Sequence, residues 1–420
     1  MNIAFVLRDF PVLSETFVLR QIVGLVEAGH DVRIVVGKKA DRPFTHEKYE
    51  QLGLDRLIHP LRRDVGGRLS RAVLLVRFVS SSLLSRQGWR ALGAGLRAAW
   101  TGCPEALMDI AAQSRQGPIG RFDAIVAHFG PTGVRAMYLR QSGLVDGPVA
   151  TVFHGFDVSR SDIIKKHLGN YHRLFEQTEV LLPISELWKQ RLLEWGAPKD
   201  KLRVLRMGVD LDQLQMSATT RQPIDPLQVL SVARLTEKKG LEYALAGVTQ
   251  ARSNIAYTII GTGPLDQPLR ELAGSAKPGV INFAGEQPQH KVFEALQQAD
   301  VFLLPSVTAA DGDMEGVPVV LMEAMAKGVI VLATRHSGIP ELIDDGISGL
   351  LVAERDFAAI ANALDRVAAG EIDVERMRAE ARLKVESKFD NAALDRELID
   401  ICRSLRRSVL GHSPAAEEGC

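Results

Sequence analysis

The chain has 420 residues, 46% hydrophobic and 24% charged, the balance of a globular protein too long for one ordinary core; two or more domains are expected. Lysine plus arginine equals aspartate plus glutamate at 51 each, which excludes a global field for gathering nucleic acid, and none is expected as a partner. Cys103, Cys402 and Cys420 are far apart without CxxC or Cys/His spacing, so neither a disulfide framework nor a zinc site is implied, and a reducing compartment fits.

Ile3–Leu7 is an apolar run of buried-strand type, broken by Arg8 and Asp9. No charged segment leads into a long apolar one here, and no stretch approaches ~18 uninterrupted apolar residues. Neither a signal peptide nor a transmembrane helix is expected, and a cytoplasmic location is. Ser14–Ala28 follows with Phe17, Val18, Ile22, Leu25 and Val26 at helical spacing. Ser14 suits its N-cap, although Phe17 stands where a full capping box carries a glutamate, and Gly29 ends the helix. Val32–Val36, Ala124–His128, Ala150–Phe153 and Val180–Ile184 read as further strands. Strands separated by helices indicate parallel sheets.

Leu61–Trp100 carries eight arginines against one acidic residue, Asp64, with Leu, Val, Phe and Trp interleaved. Val73, Val76, Arg77 and Ser80 follow helical spacing. One reading is an amphipathic helix pair lying on an anionic membrane surface, at the inner face of the cytoplasmic membrane. The other is a helical insertion, about 61–117, packed on the first domain with a solvated basic face.

The second half restarts the pattern. Gln228–Val232, Ala256–Ile260, Val280–Phe283, Val301–Leu304 and Ile330–Ala333 read as strands, with helices over Leu241–Ala251 and Val317–Ala326. Ala218–Pro226 is polar and proline-containing, a linker between the halves. The tail from Gly411 to Cys420 is polar and expected to be disordered. The fold class is α/β: two doubly wound, Rossmann-like parallel-sheet domains facing a cleft, with ligands outside the carboxyl ends of the strands.

Asp311-Gly-Asp-Met-Glu315-Gly-Val-Pro318 follows the strand that ends near Pro305. Pro318 suits a first helical turn, and the helix beyond it would aim its N–H groups and positive dipole end at the cleft, a seat for phosphate. Glu315 precedes the helix and Glu323 lies about one and a half turns inside it, so two carboxylates can meet one ligand. As a bare spacing, two glutamates eight apart are common, and a capped helix with two surface glutamates is the plain alternative.

The run EGVPVVLMEAMAKGVIVLATRHSGIPELIDDGISGLLV nevertheless resembles the signature of the retaining glycosyltransferases of family 4, which have the two-domain GT-B fold. The likeness includes Gly338-Ile-Pro-Glu341 and Asp345-Gly-Ile-Ser-Gly349-Leu-Leu-Val352. It implies that Glu323 binds the ribose hydroxyls of a nucleoside diphosphate sugar. Glu315 and the backbone of Gly316 and Val317, next to Pro318, would contact the donor sugar. On this layout residues 1–217 form the acceptor-side domain, 218–226 the linker and 227–385 the donor domain, with a C-terminal helix over 386–410 packing back on the first.

Arg234 and Lys239, in Val232-Ala-Arg-Leu-Thr-Glu-Lys-Lys-Gly240, follow a strand. Cations there can stabilise the charge that develops on a departing diphosphate. A charged loop is the bland reading; the family likeness places both on the diphosphate, with Lys238 the alternative register. Gly261-Thr-Gly263 lacks the third glycine of a dinucleotide fingerprint, position 266 being Asp, and is expected only as a turn bordering the nucleotide. His154-Gly-Phe-Asp157 ends a first-domain strand. By resemblance His154 hydrogen-bonds a donor-sugar hydroxyl, and Asp157 holds the loop or contacts the acceptor; His128 ends a comparable strand. Phe10-Pro-Val-Leu-Ser14-Glu15-Thr16-Phe17 resembles a subgroup acting in bacterial exopolysaccharide assembly, colanic-acid type enzymes among them, with Ser14 and Glu15 on the acceptor side or in its loop.

The implied reaction moves a glycosyl group from the nucleotide sugar to a hydroxyl of a saccharide acceptor, lipid-linked by expectation, with retention of configuration. Glu315 either binds the sugar or attacks it, as the second carboxylate of retaining glycosidases does. Asp311 and Asp313 belong to the donor loop; neither a metal nor another cofactor is expected. Two rival readings are a non-catalytic sugar-nucleotide-binding protein and a nicotinamide-dependent oxidoreductase; the broken fingerprint weighs against the latter.

Overall fold

The computed structural model describes residues 1–12, 15–39, 47–62, 67–216, 225–274 and 280–411. Ser14, nearly all of the expected linker and the tail beyond 411 lie outside these. Chain order gives β1 (Asn2–Phe10), β2 (Asp31–Lys39), β3 (Ile58–Pro60), β4 (Gly120–Arg121), β5 (Ala124–His128), β6 (Val145–Asp146), β7 (Val149–Phe153) and β8 (Val180–Pro183). The second unit adds β9 (Leu227–Val232), β10 (Ile255–Ile260), β11 (Ile281–Gly285), β12 (Val301–Leu304), β13 (Ile330–Thr334) and β14 (Leu350–Val352).

Each unit is a six-stranded parallel sheet, ordered β3-β2-β1-β5-β7-β8 and β11-β10-β9-β12-β13-β14; β4 and β6 form a separate small ladder. Ile3–Leu7 are all buried because β1 is central and helices cover both faces, so its sequence runs apolar without alternation. Ile3, Phe5, Val6 and Leu7 each contribute roughly 1.5–3 kcal/mol of burial free energy. Strand order reverses between β1 and β5, and again between β9 and β12. These are the crevices where an open α/β sheet receives ligands.

Several boundaries differ from expectation, three of them near the cleft or the first helix. β8 stops at Pro183, and β11 is displaced to Ile281–Gly285, where the register against β10 shifts between Ile259 and Ile260. The first helix starts at Thr16; Glu15 holds its N-cap position without a side-chain cap bond.

The chain crosses between the units side by side. Val209 N donates to Phe389 O (2.9 Å) and Asn391 N to Val209 O (3.0 Å). The helix Asn391–Gly411 returns to the first unit, where Leu398, Ile401, Cys402 and Leu405 join its core.

The arginine-rich segment forms the helices Arg68–Ser82 and Arg86–Trp100, followed by Pro104–Gln113. Their inner face packs on the first unit through Phe78, Leu92, Ala94, Ala98 and Ile110. Asp109 is fully buried and pairs with Arg62 (2.9 Å) and Arg135 (2.5 Å), riveting this layer to the sheet. The outer face shows Leu69, Val76, Leu84, Trp89, Leu96 and Trp100 to solvent, Trp100 at 91% exposure. Among the described residues no helix is long and apolar enough to cross a membrane.

Candidate active site

The donor-side motif occupies the loop after β12 and the helix Val319–Ala326. Pro318 is not in the first turn: with ψ at 119° it is extended and sits at the N-cap, so Val319 opens the helix. Leu321, Met322, Ala324, Met325 and Ala326 are buried, so this helix is packed nearly all round and held rigidly. Glu323 is partly buried; burial pushes its carboxyl up to about 7, with Lys327 opposing.

Glu315 is 7% exposed. Its Oε2 lies 3.0 Å from Lys239 Nζ, and Lys238 Nζ stands 3.8 Å from Oε1. Burial raises the Glu315 pKa, but Lys239 and Lys238 outweigh it and hold the carboxyl below its ordinary range. Oε1 is buried and has no hydrogen-bond partner among the described residues, the Lys238 ammonium at 3.8 Å being an ion-pair contact only. Lys238 is engaged with Asp313 (3.2 Å), so Lys239 is the lysine that faces Glu315 most closely. Asp311 stands 3.7 Å from Arg160. Among the described residues no three His, Cys, Asp or Glu side chains are grouped to hold a metal ion.

Lys239 ends the 3-10 turn Glu237–Lys239 beyond β9. Two bonds tie this turn to the donor loop: Val307 N donates to Lys238 O (2.9 Å) and Ala310 N to Glu237 Oε1 (2.9 Å). Arg234, two residues past β9, is exposed. The Gly261–Gly263 turn backs this loop, with Leu235 N donating to Thr262 O at 2.9 Å. Gly261 has φ +135°, and a Cβ there would stand 1.9 Å from Ala233 O, so the turn is a support that only glycine allows.

The first unit closes the opposite wall. A Cβ on Gly316 would come within 2.6 Å of His154 O, so the donor loop touches the β7 carboxyl end through a glycine. Met314 N donates to Ser159 Oγ (3.1 Å) and Ser161 N to Asp311 O (2.9 Å). Val317 is buried beside this contact.

His154 itself turns inward. Its Nε2 lies 3.0 Å from His128 Nδ1 and its Nδ1 3.2 Å from Met207 Sδ; Phe17 and Phe129 flank the ring at 4.7 and 4.6 Å. Burial drives both imidazoles to the neutral form. A proton on His128 Nδ1 donated to His154 Nε2 leaves only a lone pair, not an N–H, stranded at the buried His128 Nε2. In this structure the ring is thus a buried member of a pair, and the backbone of His154 lines the cleft. Asp157 is fully buried and accepts from Gly130 N, His154 N and Gly155 N at 2.9–3.0 Å, so it holds the loop and has no surface for an acceptor. Glu15 is partly buried, and desolvation pushes its carboxyl up to about 7.

Three side chains beyond the expected set belong to the site. His336 and Ser337 grip the Glu315 backbone, at 3.1 and 2.5 Å, and Glu354 holds His336 at 2.6 Å. Arg335–Ser337 lie inside the motif run, but nothing in linear order pairs them with Glu315. Glu341 of the Gly338–Glu341 segment reaches the other unit: its carboxylate accepts from Glu186 N and Leu187 N, both at 3.1 Å, and meets Arg206 at 3.3 Å.

Residues 14–213 match the family described as Glycosyltransferase Family 4, and residues 213–384 match Glycosyl transferases group 1. A Salmonella typhimurium protein bearing the name colanic acid biosynthesis glycosyltransferase is 40% identical over 410 residues, covering 96% of this chain and all of its own. The amylovoran biosynthesis glycosyltransferase of Erwinia amylovora is 38% identical over 410 residues with the same coverage. An Anabaena protein solved with UDP and glucose covers 96% of this chain and 100% of its own at TM-score 0.68 and 14% identity, a likeness of fold. These matches make the protein a glycosyltransferase of GT-B architecture. It belongs to family 4.

Proposed function

We propose that the enzyme transfers a sugar from a nucleoside diphosphate sugar to a hydroxyl of a lipid-linked saccharide in exopolysaccharide assembly, retaining anomeric configuration. The observation that carries it is Glu315: one carboxylate oxygen is fixed by Lys239, the other makes no hydrogen bond among the described residues, and the residue lies at a switch point facing the other unit. The names of the Salmonella and Erwinia relatives support the pathway class, and the UDP and glucose in the Anabaena structure support the donor class. Glu323 accepts from the ribose hydroxyls. Arg234, Lys239 and the tip of the Val319–Ala326 helix stabilise the leaving diphosphate. Gly261 and Gly263 keep that loop in place, and Gly316 and Val317 offer backbone to the sugar.

Glu315 binds the sugar in this reading. A carboxylate already neutralised by an ammonium at 3.0 Å is a poor nucleophile. The acceptor attacks from the face the diphosphate leaves, and the departing phosphate takes the acceptor proton. Side-chain cations meet the diphosphate charge, so transfer is expected to survive chelation of divalent ions. The exposed apolar and arginine-bearing face of the helices Arg68–Ser82 and Arg86–Trp100 seats the enzyme on an anionic bilayer, at the cytoplasmic face, near its acceptor.

The test is donor-dependent thermal stabilisation with UDP-, GDP- and ADP-sugars, followed by transfer assays with the sugar that binds. One donor series should raise Tm, and Glu323→Ala should lose both the shift and transfer. Full transfer by Glu323→Ala, or no shift with any donor, would overturn the reading.

A further inference from the structure

We infer that His336 is a positioning residue whose neutral imidazole, fixed in one tautomer by Glu354, orients the backbone that carries Glu315; this rests on the proposed sugar-binding role of Glu315.

Glu315 N donates to His336 Nε2 at 3.1 Å. A backbone amide only donates, so Nε2 must hold a lone pair and the ring proton must sit on Nδ1. Nδ1 lies 2.6 Å from Glu354 Oε1 and donates to it. The other Glu354 oxygen accepts from Thr308 N at 3.0 Å, so this carboxylate is itself anchored to the start of the donor loop. His336 is fully buried, with no room to turn and exchange its nitrogens.

The next residue completes the grip. Ser337 Oγ donates to Glu315 O at 2.5 Å. Ser337 has φ +49°, a left-handed conformation costing a residue with a side chain about 1 kcal/mol or more. Such strain persists where surrounding contacts impose it, and here it brings the hydroxyl under the Glu315 carbonyl. The Cα of Glu315 is therefore held through its N–H on one side and its C=O on the other, while Lys239 sets the far end of the side chain. Three anchors leave the carboxylate little freedom, and preorganisation of this kind is what differential binding of a transition state needs.

A buried histidine that merely fills space would show none of this directionality. Glutamine and asparagine separate the two cases. The glutamine amide reaches the place of Nε2 and can accept from Glu315 N. The asparagine amide reaches only the place of Nδ1, keeping the Glu354 contact but losing the Glu315 contact.

The experiment compares His336→Gln, His336→Asn and Ser337→Ala with the parent enzyme, using the donor that stabilises the parent. It reads Tm, donor KM, and kcat per donor-binding site by titration. His336→Gln should keep kcat within about threefold. His336→Asn should lose kcat by about 10²-fold with donor KM within about twofold, because ribose and diphosphate contacts remain. Ser337→Ala should lose about tenfold in kcat and stay folded, which keeps the test decisive should the asparagine variant not fold. Equal losses in the glutamine and asparagine variants, or kcat losses that vanish once counted per binding site, would overturn the inference. Glu315→Ala is the control: if it transfers normally, the role given to Glu315 fails first and separately.

Discussion

Lys239 Nζ stands 3.0 Å from Glu315 Oε2, so a lysine beyond β9 and a glutamate beyond β12 neutralise one another within the protein. The pair lets the Glu315 carboxylate sit buried in its charged form. It also makes each partner's removal a charge problem for the other.

Lys239→Met should therefore cost stability as well as activity. Losing one member of a buried pair costs about 3–5 kcal/mol in dry surroundings; Lys238 at 3.8 Å softens it here, and about 1–3 kcal/mol is expected. The double variant Lys239→Met/Glu315→Gln should recover most of the lost Tm but none of the transfer. Because the Glu315 pKa is depressed, its share of stability is present at neutral pH and is lost as pH falls through the folded-state value, below 4.5. Additive Tm losses in the double variant would refute the coupling.

Glu323 titrates with the opposite sign. Its carboxyl is raised from 4.5 to about 7, so the folded state holds more protons than the unfolded state across that window. Its contribution is fully present below about 4.5 and is lost as pH rises to about 7. Glu323→Gln removes that slope. The stability difference between variant and parent should grow from pH 5 to pH 8 by on the order of 2 kcal/mol, read by urea unfolding at each pH. Glu15 and Asp395, also raised to about 7, cancel because both proteins carry them. A flat difference would show that Glu323 is not desolvated as described.

The Arg68–Trp100 face makes a prediction independent of catalysis. Trp100→Glu and Leu84→Glu should each weaken co-sedimentation with anionic vesicles about tenfold, leave Tm within a few degrees and leave zwitterionic vesicles unbound. Raising salt should weaken the parent's binding too. Parent binding that is absent, or indifferent to lipid charge, would remove this surface from the account.

Much of the donor half is contiguous in sequence, and so it could be read there. Glu315, Gly316 and Glu323 share one loop and one helix, and Lys239 precedes a glycine turn; local order is enough to bring the loop and the turn to the carboxyl ends of β12 and β9. What escaped reading is which residues pair across the sheet. His128 and His154 end neighbouring strands β5 and β7, and His336 and Glu354 flank β13 and β14. Strand adjacency follows from the order of the whole sheet, which a motif cannot supply. His154 shows the cost most plainly: the linear pattern placed it at the cleft, but burial between Phe17 and Phe129 turns its ring away. Pro318 missed by one position, because an N-cap and a first turn both accept proline.

Glu341 belongs to the donor unit, yet the groups it satisfies are the first N–H groups of the helix Glu186–Glu194 and the guanidinium of Arg206, both in the other unit. Parting the two halves strips that carboxylate of its donors at the same moment that Ser159 and Ser161 release the loop 311–316. On the proposed reading, a turnover that widens the cleft to discharge spent nucleotide breaks all of these contacts together, so weakening Glu341 should speed the exit of product while slackening the grip on an incoming donor.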